Sequence, residues 1–95
     1  MTRYTVVWDK EVENTYLRAW LASRSQTRRV LTQVADWIDR ELAQDPERKG
    51  QLLPDLSGRS IDVPLSMVDA RMQATYLVSS ADRIVRVIRL TFRIE

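Results

Sequence analysis

The sequence predicts an α+β fold: an N-terminal strand, an antiparallel helix hairpin and a three-strand antiparallel meander, with the helices packed on one face of a single sheet. Three observations predict it. A β-branched and aromatic run opens the chain, two stripes of apolar residues at helical spacing follow, and the C-terminal part alternates apolar and polar residues. With 95 residues, only two glycines and three prolines, the chain reads as one domain, residues 1–95, built mostly of regular elements.

The run Tyr4–Trp8 ("YTVVW") reads as a short strand. Asp9 is placed to cap the helix that follows, with Glu11 and Glu13 in the first turn, where the helix dipole favours acids. Val12, Tyr16, Ala19 and Trp20 make that helix's apolar stripe, which the polar cluster Ser23–Gln26 interrupts. A second stripe runs through Val30, Leu31, Val34, Trp37, Ile38 and Leu42 and stops at Asp45-Pro46, because the residue before a proline avoids helix. Pro46–Gly58 holds both glycines and two of the three prolines and reads as the one substantial loop. Arg59–Pro64 is a short strand with Pro64 at its end, and Arg71–Ser79 is a longer alternating one. Ser80–Asp82 is expected as a three-residue turn into a last strand that starts at about Arg83. The three tryptophans fall on apolar stripes and are expected in the core.

Composition narrows the chemistry. There is no cysteine, so disulfides, thiolate nucleophiles and thiolate metal sites are excluded. There is no histidine either, which removes the usual neutral-pH general base and the commonest zinc ligand; no metal and no cofactor is expected. Apolar runs are short and the N-terminus lacks signal-peptide organisation, so a cytoplasmic protein is expected. Net charge is only +2, too little to mark a nucleic-acid binder by itself. Lysine occurs only at Lys10 and Lys49, however, and the other thirteen cationic residues are arginines, whose planar fork suits phosphate. Arg24, Arg28 and Arg29 form a tight basic knot at the helix turn.

Strand side chains alternate between faces, so the last two strands can be read face by face. In the last one, Ile84, Arg86, Ile88, Leu90, Phe92 and Ile94 are expected toward the helices, and Val85, Val87, Arg89, Thr91, Arg93 and Glu95 on the open side. A three-residue turn pairs Val78 with Ile84, Ala74 with Ile88 and Met72 with Leu90 on the core side. On the open side it pairs Gln73 with Arg89 and Arg71 with Thr91. Arg71, Arg89 and Arg93 then gather at one end of an uncovered face, a platform for a phosphate backbone. Arg86 is the misfit, expected to snorkel out from the core side.

The opening "YTVVW", the helix hairpin ending at "DP" and the pattern "ATYLVSSADRIVRVIRL" resemble the RelE/ParE superfamily of type II toxin–antitoxin toxins. The resemblance spans about residues 4–93 and rests on hydrophobic pattern. It implies a growth-inhibiting toxin held inactive by a cognate antitoxin protein. RelE-like members act on ribosome-bound mRNA through basic residues of the open sheet face. ParE-like members inhibit DNA gyrase without a nuclease site. Carried over by position, the family's arginine three residues before the strand tyrosine falls at Gln73, with Arg71 on the same face. The family's basic loop is matched by Arg48, Lys49 and Arg59, and its late basic position by Arg89 or Arg93. The resemblance therefore assigns Arg71, Arg89 and Arg93 as candidate catalytic residues and Arg48, Lys49, Arg59 and Gln73 as candidate nucleic-acid contacts.

The tyrosine or histidine that nuclease members use for proton transfer has no counterpart in the final "FRIE". Tyr76 is expected on the core face, which leaves Asp62 and Glu95 as candidate bases. The leading expectation is a toxin that acts on translation by binding ribosome-bound mRNA, with cleavage an open step. The alternatives are a gyrase inhibitor and a nuclease-dead interaction module of the same fold.

Overall fold

The computed structural model describes residues 3–54, 58–64 and 71–93. Strand β1 (Thr5–Trp8) leads into helices α1 (Lys10–Ala22) and α2 (Ser25–Leu42). A 3-10 turn (Pro46–Arg48) and strands β2 (Gln51–Leu52), β3 (Arg59–Asp62), β4 (Arg71–Ser79) and β5 (Ile84–Arg93) follow. The sheet order is β1-β5-β4-β3-β2, with β1 parallel to β5 and the other neighbours antiparallel. The expected architecture stands, with one addition. The loop expected over Pro46–Gly58 contains β2, a strand whose two residues are too few for any period to show in sequence.

The helices cover one sheet face because their apolar stripes need a partner. Val12 of α1 and Leu31, Val34, Ile38 and Leu42 of α2 are buried against Met72, Ala74, Tyr76, Val85, Val87 and Leu90 of the central strands. Each buried valine, leucine, isoleucine or methionine among them contributes about 1.5–3 kcal/mol. Trp8, Trp20 and Trp37 pack half-buried on this core, and the rings of Trp8 and Tyr16 meet edge to face at 5.8 Å. None of the described helices is long and apolar enough to cross a membrane.

One local expectation is corrected at the start of α1, and one contact is added at its end. Asp9 precedes the helix but makes no side-chain cap; its Oδ1 accepts instead from Nε of Arg86 at 2.5 Å. With both partners charged, this pair outcompetes a bond from the carboxylate to a neutral backbone N–H, and it ties the start of α1 to β5. At the other end α1 has no basic residue in its last turn. Arg28 of α2 supplies one: its Nε and Nη2 donate to the carbonyls of Trp20 and Leu21, each at 2.9 Å, while the guanidinium lies 4.5 Å from the Trp20 ring centre. One member of the basic knot is thus a clamp across the hairpin, closing orphan carbonyls at the negative end of the α1 dipole.

The β4–β5 register differs from the expectation in an instructive way. The turn holds four residues, Ser80–Arg83, with Arg83 left-handed at φ 54°, so Ser79 pairs with Ile84 and Val78 with Val85. A bulge then falls between Tyr76↔Val87 and Thr75↔Arg89, leaving Ile88 as the extra residue. Each feature adds one residue. Beyond the bulge Ala74 pairs with Leu90, Met72 with Phe92, Gln73 with Thr91 and Arg71 with Arg93. Val85 and Val87, expected on the open side, are fully buried, whereas Arg86 is exposed on the open side and does not snorkel. The physical reason is that strict alternation would bury a guanidinium while exposing two valines, which costs more than one unpaired residue. β3 ends at Asp62, although Val63 N–H still donates to Met72 O at 2.9 Å, and Pro64 lies past it. Ile94 and Glu95 lie outside the described residues.

Candidate nucleic-acid interface

The open sheet face presents polar residues in rows that cross the strands. Residues directly opposite in a ladder point to the same side. One row runs Gln51, Ser60, Thr75, Arg89 across β2 to β5; the next runs Asp62, Gln73, Thr91; the last is the pair Arg71 and Arg93. The bulge brings Arg86 and Arg89 to the same side although they are three residues apart. Arg86 is held by Asp9, while Arg89 is exposed. Gln73 is exposed and donates from Nε2 to Asp62 Oδ1 at 3.1 Å, which orients both polar groups. Ser60 and Thr75, by contrast, are buried, and Ser60 Oγ is a buried hydroxyl without a hydrogen-bond partner among the described residues.

Of the seven candidates from sequence, the backbone register thus brings Arg71, Gln73, Arg89 and Arg93 together on one face. The three loop candidates do not join them. Arg59 is in register with Tyr76, on the helix side, and donates from Nε to Lys49 O at 2.8 Å and from Nη2 to Gly50 O at 3.5 Å. Lys49 reaches back to α2, with Nζ 2.7 Å from Glu41 O and 2.9 Å from Glu41 Oε2. Both cations hold the loop to the scaffold. Arg48 is exposed on the 3-10 turn, away from the rows.

Tyr76 is fully buried, and its hydroxyl lies 2.8 Å from both Pro46 O and Lys49 O. Burial raises its pKa above the usual tyrosine value, against the opposing pull of the Arg59 guanidinium. A neutral phenol committed to backbone carbonyls is a structural pin and not a proton shuttle. Asp39 is raised by partial desolvation of its carboxylate, which Trp8 Nε1–H opposes by donating to Oδ1 at 2.8 Å. It belongs to the helix layer, not to the open face. Among the described residues no group of three or more His, Cys, Asp or Glu is placed to hold a metal ion.

Gln73 was named from the sequence, but the hydroxyl row was not. Ser60 and Thr75 become visible only once β3 is laid against β4, since neither carries a charge to attract attention. Arg86 was assigned to the wrong side for want of the bulge; its position inside an otherwise apolar alternation was the available signal.

No protein-family model matches the chain, and no curated protein matches it. Two solved structures are similar to it. One is the RelBE2 toxin–antitoxin complex of Mycobacterium tuberculosis, at TM-score 0.65 and 17% identity, covering 100% of this chain and 97% of that one. The other is the free E. coli toxin RelE with two arginines changed to alanine, at TM-score 0.56 and 21% identity, covering 93% of this chain and 81% of that one. At such identities the likeness is one of backbone architecture: the chain has the RelE-like toxin fold, two helices on one face of a five-stranded sheet.

Proposed function

We propose that this chain is the growth-inhibiting toxin of a toxin–antitoxin pair, acting on translation by binding ribosome-bound mRNA across its open sheet face. The observation that carries the reading is the register: Arg71 opposite Arg93, with Arg89 on the same side of the strand. Backbone positions for three guanidinium groups at one end of a sheet suit the spaced negative charges of a phosphodiester chain. The exposed Gln73 and the half-buried Thr91 beside them offer uncharged contacts to sugars and bases. The RelE-like fold and the antitoxin present in the mycobacterial complex support a cognate antitoxin for this chain.

Cleavage needs two things: stabilisation of the charge that grows on phosphorus as a ribose 2′-hydroxyl attacks, and removal of that hydroxyl's proton. Arginines serve the first. For the second, the chain has no histidine, and Tyr76 is pinned in the core. The face is therefore better equipped to hold RNA than to cut it. That same lack favours the second reading, a gyrase inhibitor that works by binding alone.

Induced expression in a bacterial host tests the proposal. Wild-type chain should arrest growth and protect or cut mRNA on purified ribosomes, and R71A/R89A/R93A should abolish both while retaining the melting temperature. Arrest that survives the triple substitution and tracks inhibition of gyrase supercoiling would replace the translation reading with the gyrase one.

A further inference from the structure

On the helix side of the sheet, where α2 runs out beside the start of β1, the surface is hollowed into an open cleft of about 380 Å3. Trp37, Arg40, Glu41 and Gln44 line it from α2 and the residues just past its end, and Ala43 and Arg3 complete it. Spacings of three and four residues put the first four on one helix face. Backbone contacts bring Arg3 across: Tyr4 N–H donates to Ala43 O at 2.9 Å, and Arg3 forms an isolated bridge with Gln44. Two exposed arginines far apart in sequence therefore line one hollow. The acid among them is neutralised from outside, since Glu41 Oε2 lies 2.9 Å from Lys49 Nζ. Trp37 is half-buried against the core, which fixes its ring as a wall of the cleft. The indole N–H groups of Trp8 and Trp20 donate to Asp39 and Thr32, at 2.8 and 3.3 Å, while that of Trp37 has no hydrogen bond among the described residues.

We infer that this cleft binds a nucleoside monophosphate, at a site separate from the open sheet face and independent of the toxin reading. The indole offers a flat surface on which a base stacks, whichever base it is. The two guanidinium groups suit one phosphate, to which each can donate a pair of parallel bonds. Gln44 carries both donors and an acceptor for a base edge or the ribose hydroxyls. The size agrees, since small-molecule sites run from roughly 300 to 1,000 Å3 and a mononucleotide belongs at the lower end. Other occupants leave part of the cleft unused. Inorganic phosphate would engage the arginines without the ring, and an uncharged aromatic compound the ring without the arginines. A cation would meet two like charges. The negative end of the α2 dipole opposes an anion with about half a unit charge, which two arginines outweigh.

The test uses the full nitrogen-labelled chain and AMP, with adenosine and ribose 5-phosphate as partial ligands. The chain has three tryptophans, and Trp37→Phe identifies the indole resonance of interest by its loss. AMP should shift that resonance and the amides of residues 37–44, leaving the Trp20 indole and the amides of β4 unmoved. Adenosine and ribose 5-phosphate should each bind at least about tenfold more weakly, because each lacks one half of the contacts. Arg3→Ala and Arg40→Ala should each weaken AMP by about tenfold, the loss expected for a bond to a charged phosphate. Arg24→Ala, at the far end of the hairpin, should change the affinity by less than about twofold, since salt screens so distant a charge. All three arginines are exposed, and circular dichroism checks that the variants stay folded. No shift at millimolar AMP overturns the proposal, as does adenosine or ribose 5-phosphate binding as tightly as AMP. An affinity that ignores Arg3→Ala and Arg40→Ala overturns it too, and so does an equal loss in Arg24→Ala, which would make the binding a matter of overall charge. Shifts confined to β4 and β5 would move the nucleotide to the open sheet face and overturn it likewise.

Discussion

Replacing Tyr76 by phenylalanine removes one oxygen from the most deeply buried ring among the described residues and leaves its packing otherwise intact. The hydroxyl lies 2.8 Å from Pro46 O and 2.8 Å from Lys49 O, joining the middle of β4 to a turn about thirty residues away. Its single proton makes one shared bond, worth roughly 0.5–1.5 kcal/mol net. The cost of stranding the acceptors is moderated, because Lys49 O keeps the Arg59 donor at 2.8 Å and Pro46 O keeps the Lys49 N–H at 3.4 Å. A total loss of about 1.5 kcal/mol follows, or a fall in melting temperature of about 6–12 °C for a domain of this size.

The pH dependence gives a second reading of the same variant. Burial places the folded pKa of Tyr76 above its unfolded value, so its stabilisation is complete below about pH 10 and is lost as pH rises through the folded value. The gap between wild type and Tyr76→Phe should therefore be constant from pH 7 to 9 and shrink above pH 10. Thermal melts across that range measure it. A variant as stable as wild type at pH 7, or a gap that widens in alkali, would refute the pin.

Gly50 sits at φ 64°, and an added Cβ would fall 2.1 Å from Ser60 O, a backbone atom that cannot swing aside. Gly50→Ala should cost about 3 kcal/mol or more and reduce soluble yield, measured by denaturant unfolding. Arg28→Ala loses two bonds to carbonyls and the contact with the Trp20 ring, for about 2 kcal/mol. Arg28→Lys should recover only part of that, because an ammonium cannot fork between two carbonyls. Asp39→Asn keeps an acceptor for Trp8 and removes a charge from the negative end of α2, so stability at pH 7 should hold or rise by at most roughly 0.5 kcal/mol. Because Asp39 is raised in the folded state, wild type regains that difference as pH falls toward the unfolded value, and the advantage of the variant should vanish in acid.

How legible the fold was depended on length. Eighteen residues of α2 repeat their apolar stripe five times over, so burial of Val34, Ile38 and Leu42 was readable. The two residues of β2 repeat nothing. The face reading of β5 agrees with the register from Arg89 to Arg93 and failed from Ile84 to Ile88, because turn length and bulges are set by backbone fit and leave no period in the sequence. For the candidate site, residue type was visible and allegiance was not. Nothing in the sequence separates Lys49 and Arg59, held by Glu41 and by loop carbonyls, from Arg89, which is exposed on the open face. Which cation meets which acceptor depends on contacts eight or more residues apart, and the fold alone makes them.

The extra residue at Ile88 gives β5 something like a reading frame. A substitution there alters one letter, and its effects stay local. Drawing that residue into the regular ladder would shift the phase of everything downstream, turning Leu90 outward and the arginine positions 89 and 93 toward the core, with no arginine touched. Deleting it, by contrast, would leave Val87 and Arg89 in unbroken alternation. The bulge, rather than the identity of any residue between Ser79 and Arg89, is what keeps the cationic end of the sheet on the outside.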